Sequence, residues 1–193
     1  MKKIFFLLLF LSVYITGFAQ KIETDRIEDD GRRQLMSSEH KEKLDGSEYQ
    51  FIVKAYEKYG QIDWFLLIAS FRYIPDNAVL LIKLGNGDTI SKLVNNRIES
   101  EISLPTYTYI VGNIGVQSGP NKGMYYTALF DFSEEQFQMI EEYGIEKIRI
   151  SSRSSYNEKT WKKDKLGKFI KKCREKISKK LRNTRVKSIY DDF

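Results

Sequence analysis

The chain has 193 residues, with 32 Lys/Arg against 26 Asp/Glu, a net charge of +6, one His and one Cys. A single cysteine excludes an internal disulfide. One His and one Cys, far apart and in unlike contexts, argue against a hydrolase triad and against a zinc site.

Residues 1–19 read as a secretory signal peptide. Lys2 and Lys3 give a basic start, Ile4 to Ile15 is almost wholly apolar, and Gly17 and Ala19 suit a cut after Ala19. The run is shorter than the ~20 residues of a spanning helix. No Cys sits beside the cut to carry a lipid. The expectation is an exported protein, periplasmic or secreted, whose mature chain of 174 residues is enough for one domain with a real core. Its 13% aromatic content supplies the packing.

Residues 20–46 read as a polar N-terminal arm or a loose hairpin built from Ile22–Ile27 and Gln34–Met36, with "EDDGRR" as the turn. A single α+β domain is expected over 47–183. Ser47 to Tyr59 fits two patterns: Tyr49, Phe51 and Val53 alternate as in a strand, whereas Ile52, Ala55, Tyr56 and Tyr59 match a helix. The strand is preferred. Trp64 to Ile74, the most apolar stretch of the mature chain, suits a central strand covered on both faces. "AVLLIKL", "GNGD" and "TISKLV" make a hairpin, with Asn86-Gly87 supplying positive backbone angles. Ile98–Leu104, "YTYIVGNIGV" and "MYYTALFDF" read as further strands, the last two joined by the loop "QSGPNKG".

Phe130 to Ile150 reads as strand, short helix, strand. Ser133 and Gln136 form a capping box, Phe132 and Phe137 a hydrophobic staple, and Gly144 ends the helix. Two glutamates at the helix start would repel an anion, so the unit is read as scaffold. "SSRSSYNEKT" reads as a polar loop. Beyond it, Trp161, Leu166, Phe169, Ile170, Cys173, Ile177 and Leu181 form one apolar stripe on a basic helix of roughly five turns. Residues 184–193 read as a flexible tail. The fold class is therefore α+β: a mainly antiparallel β-sheet with a short β-α-β unit and a long C-terminal amphipathic helix packed on the sheet.

Charge is concentrated at the C-terminal end. Glu158 to Lys187 carries 14 Lys/Arg against 3 Asp/Glu, whereas Gln20 to Asn157 carries 16 against 21. The basic helix is the one feature that reaches beyond the fold. Lys162, Lys165, Lys168, Lys171, Lys172 and Lys176 are its candidate contact surface, for an acidic protein or an anionic lipid surface. Nucleic acid is disfavoured, because no stacking aromatics interleave the lysines. Arg149 and Arg153, beside the serines of "SSRSS", are a candidate anion contact. His40 is expected at the surface and Cys173 as a buried, inert thiol. "DRIEDDGRR" lacks the regular oxygen ligands of a calcium loop. Asp63, Glu99, Glu101 and Asp131 lie in or beside strands, and nothing in the sequence marks two of them as catalytic partners. No catalytic, metal or cofactor-binding set emerges.

The signal ending "FAQ", the hairpin "LLIKLGNGDTISKLV", and "LFDFSEEQFQMIEEYGIEKIRI" followed by a basic helix together resemble small exported proteins of unknown function from the Bacteroidetes lineage. The resemblance implies a periplasmic or surface location in a Gram-negative bacterium and carries over no functional residues. The expected role is a non-catalytic binding or accessory module. The alternatives are an envelope or glycan hydrolase acting through carboxylates, and a peripheral membrane protein held by the basic helix.

Overall fold

A computed structural model describes residues 21–104, 108–111, 114–117, 121–151 and 155–191, with side chains described at 21–103, 122–151 and 155–183. Among these, the signal segment and Arg153 do not appear.

The chain opens with a meander. Strands β1 (Ile22–Ile27), β2 (Arg33–Ser37), β3 (His40–Leu44), β4 (Ser47–Lys58) and β5 (Gln61–Ser70) follow one another through tight turns. Two of these turns have both central residues at positive φ: Asp45 and Gly46 at 45° and 80°, and Tyr59 and Gly60 at 52° and 87°. That geometry matches the twist of the flanking strands. The region read as an arm or loose hairpin is thus a hairpin plus a third strand. It sends Leu35 and Leu44, both fully buried, into the common core.

Next come β6 (Val79–Leu84), β7 (Thr89–Leu93), β8 (Asn96–Leu104), β9 (Thr108–Val111), β10 (Ile114–Gln117) and β11 (Asn121–Phe132). Helix α1 (Glu134–Tyr143), β12 (Ile145–Ser151), β13 (Tyr156–Thr160) and α2 (Leu166–Asp191) complete the chain. The larger sheet runs β1-β2-β4-β5-β11-β8, with β3 also on β4; the smaller runs β13-β12-β6-β7; β9 and β10 pair with each other. Every pairing is antiparallel. The described residues are mainly antiparallel sheet with two helices.

Several local expectations change. "YTYIVGNIGV" holds two paired strands, not one. Asn121–Gly123, read as loop, begin β11. The "polar loop" ends in a strand: Tyr156–Thr160 pair with β12, and the Glu158 backbone N–H donates to Asp45 at 2.8 Å. Its polar side chains hid it, because it is an edge strand. In the β6–β7 turn only Gly87 has positive φ (94°), while Asn86 accepts the Asp88 N–H through its side chain at 3.1 Å. The capping box of α1 is present as read, and the strands on either side of α1 belong to different sheets.

One core runs through both sheets and both helices. Tyr49, Phe51, Val53, Trp64, Leu66, Ile68 and Phe130 come from the large sheet, Leu80, Ile82, Ile148 and Ile150 from the small one, and Phe137, Phe169 and Ile177 from the helices. Side chains alternate across a strand, so the other face of β5 carries Phe65 and Leu67. Their cross-strand partners include Ile52 on β4 and Leu129 on β11, and all four are only half-buried. The central strand is therefore covered on one face rather than two, and it ends at Ser70 instead of Ile74.

Candidate functional site

Helix α2 begins at Leu166, so Trp161, Lys162 and Lys165 precede it rather than lying on it. Asp164 caps this start, accepting the Gly167 N–H at 2.7 Å. From there the stripe turns inward: Leu166, Phe169, Ile170, Cys173, Ile177 and Leu181 are all buried, against β1, β2, β4 and α1. Cys173 fits the inert reading, since burial pushes its thiol up to about 11.

Burial of the stripe fixes what faces water. Lys162, Lys165, Lys168, Lys171, Lys172 and Lys176 are all exposed. Among the described residues, Lys162, Lys165, Lys168, Lys171 and Lys172 have no carboxylate within ion-pair distance. Lys180, at the flank, is anchored instead: its Nζ lies 2.7 Å from Asp25 of β1. The Arg33 guanidinium bonds the same carboxylate at 2.7 and 2.8 Å. Arg33 chiefly, helped by Lys180 and opposed by burial, holds Asp25 at about 2, below its usual 3.8. The attraction between acidic body and basic helix is thus satisfied at Lys180, while Lys162, Lys165, Lys168, Lys171 and Lys172 take no part in it among the described residues.

One cation of the helix behaves differently. Arg174 is buried, with its side chain 6% exposed. It donates to Glu134 and, at 2.6 Å, to Glu141 of α1. Its guanidinium lies over the rings of Trp64 (4.8 Å) and Phe137 (4.9 Å). The only sequence hint was its place between stripe residues Cys173 and Ile177.

The other candidates separate. Arg149 donates to Glu158 at 2.7 Å and lies over the Tyr156 ring, so its charge is already answered. Arg153 lies outside the described residues. His40, expected at the surface, is half-buried: it stacks on Phe169 with centroids 4.9 Å apart, and its Nε2 lies 3.0 Å from Glu42. Burial alone would raise the Glu42 carboxyl, but bonds from Lys159 and His40 outweigh it and hold it below the usual range. This cluster ties β13 and α2 to the meander.

The carboxylates also divide. Glu99 pairs with Arg97 at 2.5 Å along β8, and Glu101 of β8 pairs with Lys122 of β11 at 2.6 Å. Asp63 and Asp131 instead share a cleft of about 450 Å³, where β7 turns into β8 beside the start of α1. Asp131 is the cross-strand partner of Phe65, and Asp63 sits two residues from Phe65, so all three project from one sheet face.

No family model, curated protein or solved structure matches this chain. Among the described residues, no cluster of His, Cys, Asp or Glu can hold a metal ion, and no helix is long and apolar enough to cross a membrane.

Proposed function

We propose that this protein is an exported, non-catalytic binding module that docks an acidic protein surface on the lysine face flanking and lining α2. The observation that carries the reading is the contrast within this segment: every stripe residue is buried, while Lys162, Lys165, Lys168, Lys171 and Lys172 stand exposed without a carboxylate partner among the described residues. Clustered unpaired charge of one sign raises the local concentration of an oppositely charged partner and speeds its encounter. The export half of the proposal rests on Lys2, Lys3 and the apolar run of residues 4–15, and on the resemblance to exported Bacteroidetes proteins.

An acidic protein is favoured over a lipid surface. Interfacial helices hold a membrane through buried apolar area, and here the apolar stripe is used in the core. The described exposed residues of this segment, Lys162 to Asn183, are all polar.

The test compares two triple variants of equal net charge, K168E/K171E/K172E and the control K58E/K83E/K122E, for binding to poly-L-glutamate and to vesicles containing phosphatidylglycerol. We expect salt-sensitive poly-glutamate binding that the helix variant loses by at least tenfold and the control variant keeps. Equal loss in both would reduce the effect to net charge and remove the helix face from the reading. Tighter binding to vesicles than to poly-glutamate, lost in the helix variant, would move the partner to a lipid surface.

A further inference from the structure

The cleft shared by Asp63 and Asp131 has no lining residue in common with the lysine face, and its chemistry differs. Phe65 supplies a half-buried ring, set edge-on to Tyr56 with centroids 5.8 Å apart. Around it stand Asp63, Asp131, Lys92, Asn95 and Glu134. Two of the three carboxylates are answered: Lys92 Nζ lies 3.8 Å from Asp131, and Glu134 accepts from Arg174. Asp63 and the Asn95 carboxamide have no side-chain hydrogen bond among the described residues. The cleft therefore presents an apolar ring beside both acceptors (Asp63, Asp131) and donors (Lys92, the Asn95 amide), with one unanswered negative charge.

From this combination we infer that the cleft binds a neutral saccharide. A pyranose has an apolar C–H face that lies on an aromatic ring. Its rim of hydroxyls, each both donor and acceptor, pairs with carboxylate and carboxamide groups. Anionic ligands are disfavoured by Asp63. A metal is disfavoured because these carboxylates do not converge into a ligating group. The volume of about 450 Å³ lies within the range of small-molecule sites and takes one or two sugar rings. The ring and both aspartates sit on adjacent strands of a hydrogen-bonded sheet, which holds them in place without a ligand.

The test is a titration of the mature protein, followed by amide chemical shifts, with chitobiose, cellobiose and maltose to about 50 mM. We expect saturable shifts for at least one disaccharide, centred on Asp63, Phe65, Asn95 and Asp131, with millimolar affinity. N95A and D63N should each weaken it at least fivefold. Both positions are exposed, so the variants should keep the wild-type spectrum elsewhere. Saturable binding that both variants retain, shifts centred on another surface, or no saturable shift for any of the three sugars would each overturn the assignment. The lysine-face variant K168E/K171E/K172E should bind the sugar unchanged, so this site and the helix face fail or stand separately.

Discussion

The two faces of α2 divide one helix into two kinds of surface. The inner face is held by packing and by a buried cation: Phe169 stacks on His40, and Arg174 joins α1 through Glu134 and Glu141 while covering Trp64 and Phe137. On the outer face, cations of the same sign stand exposed, and several have no described partner. The difference teaches that charge on this helix is structural where it is desolvated and paired, and solvent-exposed where it is not.

Breaking the inner face should cost most. Phe169→Ala removes a side chain that is 3% exposed together with its stack on His40, and we expect a loss of about 4 kcal/mol in urea unfolding. Arg174→Ala strips the link between the helices. Its partners remain partly hydrated, with side-chain exposures of 53% for Glu134 and 23% for Glu141, so the expected loss is smaller, about 3 kcal/mol. Removing the α2 cap with Asp164→Ala should cost about 1 kcal/mol in the same measurement.

The flank of the helix can be probed by pH. The Asp25 carboxyl is held at about 2 in the folded protein against 3.8 normally. Its contribution is present above pH 4 and is lost as pH falls towards 2. The pair is partly solvated, so we expect less than about 1 kcal/mol. The fall should be shallower in Asp25→Asn when unfolding is followed between pH 5 and 2. The outer face should be nearly silent: K168E/K171E/K172E is expected to change stability by less than about 0.5 kcal/mol while removing binding to the acidic probe. A loss comparable to that of Arg174→Ala would mean that those lysines are part of the fold.

Much of the scaffold was legible from local pattern. Alternation at Tyr49, Phe51 and Val53 marked β4, spacing from Leu166 to Leu181 marked the buried stripe, and Ser133 with Gln136 marked the cap of α1. The signals that failed were those set by distant partners. Strand β13 has no apolar alternation, because β12, Asp45 and Glu42 hold it from outside. Arg174 reads as one more cation until α1 is brought beside it. His40 looks like a surface residue in a polar arm until Phe169 packs on its ring. The cleft was invisible for the same reason: Asp63 and Asp131 are 68 residues apart in sequence and meet only through the β5–β11 register.

The long strand β4 is shared along one edge, by β3 at its start and by β2 at its end. Three of the four pairings among β1 to β5 join neighbours in the chain and the fourth, β2 with β4, skips only β3, whereas the small sheet needs β12 to return to β6 across more than sixty residues. Closing a short loop loses far less chain entropy than closing a long one. The meander is therefore the part of the fold that loses the least chain entropy in closing, whereas the small sheet, α1 and α2 are tied in by contacts distant in sequence. The helix that carries the exposed lysines is thus held to the meander by contacts with β1, β2 and β4 that are distant in sequence.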